Sequence, residues 1–401
     1  MMIQAVLGNP HHPEYGVATI PFPIPHDQYA HCMELLETLE IGDAVKADCQ
    51  VQEINSFYSV LKRTEMLTVN VEELNYLAKR LDSFDTGEAA QFQAMAHKLE
   101  LFELKDLINL TFCCQQATVI TDFSDLAAVG RDHYMNLHGG SASVDELNKL
   151  NGEETARRLI ESGSGTITPY GVVYDNGMEP EQVYDGQFFP GYYYEPNAIT
   201  IAVTAKSEPE DTEHITWLYL PMVQKEIDRV LQRAGITDPE NVHLRLEDID
   251  VFADAMLCDI QFKVPYIGEL IRDTDCPAVE DYNDFAEALE DIWQKDGALL
   301  TYAAVLEAEK PETLHRACEL LRNLDNYQRI TEDAYGYGQQ RLQETLGLDD
   351  EAIYELDGYM DFEKYGQDCM ENDCVTKTEF GLLRRLDPPF PEQTQGQQMF
   401  Q

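Results

Sequence analysis

The chain repeats itself at a spacing near 210 residues, which restricts it to folds that can be built twice in tandem. Val71-Glu72-Glu73-Leu74-Asn75 matches Val279-Glu280-Asp281-Tyr282-Asn283, and Leu77, Ala78 and Leu81 match Phe285, Ala286 and Leu289. Gly87, Phe92 and Ala94 match Gly297, Tyr302 and Ala304, and Ile120-Thr121-Asp122 matches Ile330-Thr331-Glu332. Glu161, Thr166, Thr168, Tyr170 and Gly171 match Glu371, Thr376, Thr378, Phe380 and Gly381. The collinearity of these pairs carries the repeat. Near the front, Phe22-Pro23-Ile24 resembles Leu220-Pro221-Met222 at a shorter offset. A length change between the units is therefore expected, with Phe57–Met66 one place for it.

Each unit reads alike. Short strands open it, at Gly16–Ile24 in the first and at Ala198–Ala205 and Ile215–Leu220 in the second. A helix follows, Asp27–Glu40 or Val223–Ala234, and the alternation of Val242, Leu244 and Leu246 predicts a half-buried strand. Helices are expected over 71–82, 88–110 and 142–162, with counterparts at 279–293, 297–323 and 338–346. A strand pair closes each unit, Thr166–Tyr174 or Val375–Arg384. The expected class is α+β: two elongated tandem units of small mixed subdomains with acidic helices. The boundaries are 1–175 for the first, more divergent unit, 176–197 for a Gly/Pro/Tyr-rich linker, 198–387 for the second unit and 388–401 for a disordered tail.

Charge narrows the function. The chain has 401 residues, with 74 Asp and Glu against 28 Lys and Arg, a net charge of -46. Such a chain repels nucleic acid and anionic membrane and suits cationic partners. Hydrophobic residues make up 44%, enough for a sizeable core, so wholesale disorder is not expected. No transmembrane run or secretory signal is read, and nine scattered Cys without a CxxC pair point to reduced thiols and a cytoplasmic protein. No block of five or six like charges occurs, so the acid is not a tail. It alternates with core residues. In 279–293, Val279, Tyr282, Phe285, Ala286, Leu289, Ile292 and Trp293 form one apolar stripe, and Glu280, Asp281, Asp284, Glu287, Glu290 and Asp291 cover the rest without a Lys or Arg. Like charges at this spacing destabilise a helix by about 0.2–0.5 kcal/mol per pair, so stability alone does not select them.

Motifs for catalysis fail one by one. Gly163-Ser164-Gly165-Thr166 lacks the Lys-Ser/Thr of a P-loop, and Gly336-Tyr337-Gly338 lacks the third glycine of a dinucleotide fingerprint. His11 and His12 have no accompanying ligand motif, Cys113 and Cys114 are adjacent, and Asp273, Asp275 and Glu280 lack the spacing of a calcium loop. His138-Gly139-Gly140-Ser141 has no nucleophile elbow beside it. No catalytic residue, cofactor or metal is expected, and the chain reads as a non-enzyme.

Duplex DNA carries one charge per roughly 1.7 Å of axis, so 46 charges along one surface would equal about 78 Å of duplex, or about 23 base pairs. Acids three or four apart on a helix sit about 5–6 Å apart at Cβ, comparable with phosphate spacing. A folded array of carboxylates is therefore able to fill a cationic groove built for DNA. The array residues are Glu72, Glu73, Asp82, Asp85, Glu280, Asp281, Asp284, Glu287, Glu290, Asp291, Glu332, Asp333, Asp349, Asp350, Glu351, Glu355 and Asp357.

Three stretches of the second unit, Glu332-Asp333-Ala334-Tyr335, Glu344-Thr345-Leu346-Gly347 and Tyr359 to Asp368, resemble the carboxy-terminal region of the ArdA antirestriction proteins. The core of that likeness is Asp361, Tyr365, Gly366 and Asp368; Ala198–Ala234 is similar to the family's opening domain. The first unit departs from the motif, with Gly152 and Ala156 where Phe362 and Gly366 stand. The resemblance implies a DNA mimic from a mobile genetic element, acting in anti-defence. It implies a partner, the methyltransferase core of a type I restriction-modification enzyme, whose DNA groove the protein fills. Single-unit members of that family form homodimers, so a pseudo-dimer or a homodimer is expected here. An acidic chaperone or sequestering protein for basic partners is the alternative reading, and a halophilic protein a further one.

Overall fold

The computed structural model describes residues 3–192, 197–209, 212–237, 242–248, 278–293, 295 and 297–386. It is a mixed α+β structure of small sheets and many helices. By their contacts the residues group into two compact units: Met1–Pro196 with Val203–Leu218 and Met222–His243, and Asn197–Ala202 with Tyr219–Pro221 and Leu244–Gln401.

In the first, β1 (Ile3–Gly8) pairs antiparallel with β2 (Val17–Phe22) and β3 (Cys49–Asn55), and β4 (Thr68–Val69) adds to β3. Ile3, Ala5 and Leu7 alternate inward, as a strand's period of two requires. Helix α1 (Tyr29–Thr38) buries Tyr29, Cys32, Met33 and Leu36, the one-face spacing of an amphipathic helix. Helix α2 (Val71–Asp82) starts where the Asn70 side chain accepts the Glu73 N–H at 3.0 Å. Asp85 and Glu88 form a capping box on α3 (Thr86–Lys98), and α4 (Leu104–Leu110) follows. One continuous core joins the sheet to all four helices.

The expected single helix over 88–110 is thus two. The chain turns at Glu100, whose φ of 57° lies in the left-handed region. The counterpart breaks in the same way: α10 (Ala298–Glu309) and α11 (Leu314–Arg322) are separated at Lys310, φ 45°, followed by Pro311. Helix α9 (Val279–Trp293) matches its expected bounds.

The remaining elements form two modules of one design. Strands β5 (Thr118–Ile120), β6 (Thr166–Thr168) and β7 (Gly171–Tyr174) order as β5–β7–β6 beside α5 (Leu126–Leu137), α6 (Val144–Lys149) and α7 (Gly152–Glu161). The sheet order recurs as β11–β13–β12, with β11 (Tyr327–Ile330), β12 (Val375–Thr378) and β13 (Gly381–Arg385), beside α12 (Ala334–Leu346), α13 (Asp350–Leu356) and α14 (Phe362–Asn372). The hairpin turn is the same in both: Thr168 Oγ1 donates to Gly171 O at 2.8 Å, and Thr378 Oγ1 to Gly381 O at 2.8 Å. A Cβ on either glycine would lie 2.7 Å from the carbonyl oxygen of Ile120 or Ile330. The opening sheet recurs too, since β8 (Ile199–Ala205), β9 (Thr216–Leu220) and β10 (Val242–Asp248) order as β10–β8–β9, the counterpart of β3–β1–β2. Between β3 and α2 lie residues 56–70; between β10 and α9 lie 249–278, so the length change falls where Phe57–Met66 sits.

Two boundaries differ from expectation. Residues 176–192 are no free linker: Tyr184 is buried, its backbone N–H donates to Asn109 Oδ1 at 2.7 Å, and Phe189 stacks on Tyr76 at 4.5 Å. Helix α8 (Gln224–Arg233), read as part of the second repeat, groups with the first compact unit. The expected tail at 388–401 lies outside the described residues.

Candidate functional surface

Helix α9 separates its apolar from its acidic residues, with Trp293, read as part of the apolar stripe, lying outside the described side chains. On α9, Val279, Tyr282, Phe285, Ala286, Leu289 and Ile292 are buried, which leaves Glu280, Asp281, Asp284, Glu287, Glu290 and Asp291 exposed. Asp284 is held by Arg322 at 3.3 Å, a surface pair worth little by itself. Asp281 accepts the Ala278 N–H at 2.8 Å, which caps the first turn and suits the positive helix end.

A second exposed group surrounds α12 and α13. Asp333 caps α12 through the Gly336 N–H at 3.0 Å, and Asp349 caps α13 through the Ala352 N–H at 2.9 Å. Each such bond uses one carboxylate oxygen, and both residues stay exposed with Glu332, Asp350, Glu351, Glu355 and Asp357. Tyr335 Oη donates to Asp357, and that bond is the main cause of the upward shift of the Tyr335 hydroxyl. Asp82 and Asp85 are exposed in the first unit, Asp85 as the α3 cap.

Glu72 and Glu73 do not belong to any such face. Glu72 is 9% exposed. Its Oε1 accepts the Tyr29 hydroxyl at 2.9 Å and the Arg229 Nε–H at 2.6 Å. Burial first, then the Glu72 charge, drives the Tyr29 hydroxyl far up its ordinary range. Glu73 accepts the Tyr184 hydroxyl at 2.8 Å and faces Arg233 at 3.5 Å. Arg233, 5% exposed, also donates to the carbonyls of Ala44 at 2.9 Å, Gly186 at 3.0 Å and Gln187 at 3.1 Å. Two arginines one turn apart on α8 thus neutralise two acids on α2. A buried carboxylate without such a partner would be too costly to keep charged.

The four motif residues have structural places. Asp361 caps α14, accepting the Lys364 N–H at 3.0 Å, and Tyr365 is half-buried. Gly366 is where α14 crosses α12: a Cβ there would sit 1.7 Å from Ala334 O, and one on Gly338 would sit 2.4 Å from Phe362 O. Asp368 is exposed, as is Asp361. The first module makes the same crossing with Gly130 and Gly152, whose Cβ positions fall 1.8 Å from Gly152 O and 2.4 Å from Ala127 O. The apparent erosion of the motif is therefore a crossing displaced by one helical turn, with Ala156 buried where Gly366 would be.

Sequence reasoning missed the tyrosines beside the acids. Tyr354 is 82% and Tyr359 91% exposed, while Ile353 turns into the core. The signal was there: Tyr354 lies off the stripe of Ile353 and Leu356 once Asp349 is read as a cap.

Among the described residues no group of three or more His, Cys, Asp and Glu side chains is placed to hold a metal, and no helix is long and apolar enough to cross a membrane. No protein-family model, curated protein or solved structure matches the chain.

Proposed function

We propose that this chain is a non-enzymatic, cytoplasmic DNA mimic that fills the DNA-binding groove of type I restriction-modification enzymes and so protects incoming DNA. The carrying observation is α9, a helix buried on one side and carrying six exposed acids with no Lys or Arg along its length. Such a face supports recognition by a cationic groove, because filling it releases counterions as DNA binding does. The recurrence of sheet order, hairpin turn and glycine crossing supports two tandem units of ArdA type, which on this reading stand in for the two halves of a homodimer.

The test is a competition. A purified type I methyltransferase core should bind the chain, duplex DNA should displace it, and affinity should fall steeply as salt rises. Changing Glu280, Asp281, Asp284, Glu287, Glu290 and Asp291 together to amides should abolish binding with the fold intact. Any one change alone should cost less than about tenfold, since screened surface charges contribute little singly. Binding that duplex DNA never displaces refutes the mimic. Capture of histone-like basic proteins instead would favour the sequestering alternative.

A further inference from the structure

The sheet of the second module ends on an open strand. In the order β11–β13–β12, β11 pairs on one side only. Along an antiparallel pair, residues whose main-chain groups bond the neighbouring strand alternate with residues whose groups point away from it. Leu386 N–H donates to Asn326 O at 2.8 Å, and Tyr327 lies opposite Arg385. Gln328 and Ile330 therefore bond β13, while Tyr327, Arg329 and Thr331 turn their main-chain groups outward. The turn before the strand uses the Tyr327 N–H, which donates to Leu324 O. That leaves a row of outward groups: Tyr327 O, the N–H and O of Arg329, and Thr331 N–H. Among the described residues none of these has a hydrogen-bond partner. Together they are what one added antiparallel strand would use, with two bonds at Arg329 and one at each flanking residue.

An open groove of about 640 Å³ lies against this row. It meets Gln328, Arg329, Ile330 and Thr331 in succession. Side chains alternate between the two faces of a strand, so a groove that touches successive residues follows the edge and not a face. Its other wall belongs to α12 and α13 and includes Gln339 and Gln343. Gln339 gives one amide hydrogen to Tyr335 Oη at 3.2 Å, and Gln343 gives one to Asp350 at 2.7 Å. Each keeps a second N–H and its oxygen, one donor and one acceptor, the same pair that a peptide unit carries. Such a lining suits a ligand with donors and acceptors in alternation, as an extended main chain has.

The first module closes the matching end. Ala117 stands where Tyr327 does, and its N–H likewise donates into the preceding turn, to Cys114 O at 3.0 Å. Its carbonyl oxygen, however, already accepts from Gln91 at 2.6 Å and from Asn136 at 3.1 Å.

An unpaired edge is a template for another strand. Charge selects which one. Residues 331–375 hold 13 acids and 2 bases, a net charge of -11, which attracts a basic segment and repels a second copy of this chain. We infer that the β11 edge is a strand-addition site, where an extended, basic segment of a partner protein lies in the groove and becomes the fourth strand of the sheet. The inference goes beyond the mimic reading and does not rest on it.

The test uses the full chain and a capped heptapeptide of alternating Thr and Val between two terminal lysines. At saturating peptide, residue-resolved amide hydrogen exchange should show Arg329 and Thr331 protected about fivefold or more, with 118–120 of the first module unchanged. A twin N-methylated at its three central residues keeps the charge, loses the main-chain donors and should bind about tenfold or more weakly. A twin with terminal glutamates should also bind about tenfold or more weakly. Thr331→Pro removes an outward N–H that the β13 ladder does not use and should weaken uptake about fivefold. Unchanged exchange in 381–385 would show that the sheet of this variant still forms. Equal binding of the N-methylated twin, or protection that falls elsewhere than on β11, overturns the inference, because charge alone would then explain uptake. Failure of the chain to take up the lysine peptide also overturns it. Protection of β11 that grows with the chain's own concentration, without peptide, assigns the edge to a second copy and overturns the basic partner.

Discussion

Gly366→Ala should loosen the helix crossing at the heart of the second module. The added Cβ would lie 1.7 Å from Ala334 O and 3.0 Å from Gly338 N. Both are backbone atoms inside a helix, so no side chain can swing away. An ordinary carbon–oxygen contact is about 3.3 Å, so α12 and α14 must part by roughly 1.5 Å. Forced overpacking costs about 1–3 kcal/mol, and a collision with backbone belongs at the upper end. Replacing Gly by Ala inside a helix returns about 1 kcal/mol of propensity, which leaves a net loss of about 2 kcal/mol. Parting the helices also loosens Leu342, Ile353 and Phe362, which share the cluster beneath the crossing. Amide hydrogen exchange resolves this locally, without requiring the whole chain to unfold in one step. Peptides spanning 334–346 and 362–372 should exchange about 30-fold faster, since about 1.4 kcal/mol is tenfold. Gly358→Ala, where a Cβ would meet nothing within 4 Å, is the control and should change little. A Gly366→Ala protein as protected as the parent would refute the close crossing.

Two further outcomes follow from the buried charges. Glu72→Gln should destabilise the first unit by about 3 kcal/mol in urea unfolding, because Arg229 is left buried without a counter-charge; an unchanged midpoint would show that the pair contributes nothing. Asp373 is pushed upward by burial, but hydrogen bonds from Tyr337 at 2.7 Å and from Arg341 outweigh this and hold its carboxyl low. Its folded value therefore lies below its unfolded value of about 3.9, so its contribution is full above that pH and fades as pH falls through the folded value. The stability gap between parent and Asp373→Asn should be complete at neutral pH and narrow as pH falls below the unfolded carboxylate range, whereas a gap constant with pH would contradict the assignment. Comparing the two chains at each pH cancels the separate relief of self-repulsion as the other acids protonate.

What the sequence made legible was periodic and local. The α9 stripe, the strand at Val242 to Leu246 and the closing hairpins follow from residue spacing within a few turns of chain. Helices that contain glycine were harder. Gly130, Gly338 and Gly366 sit inside helices, where a neighbouring backbone approaches too closely for any side chain. The break at Glu100 carries no glycine or proline to announce it. The fate of Glu72 and Glu73 was out of reach of local pattern, because their arginines lie 157 and 160 residues further along. Acid on a strongly acidic chain looks alike whether it faces water or a hidden guanidinium; only tertiary pairing separates the two.

That pairing decides where the chain can be cut. A break in the tyrosine-rich segment after the first repeat looks natural on paper, yet it would divide the partners of a four-charge rivet. The amino-terminal fragment would keep Glu72 and Glu73 sunk in its core with nothing to neutralise them, and the carboxy-terminal fragment would carry Arg229 and Arg233 into solvent on a helix stripped of its seat.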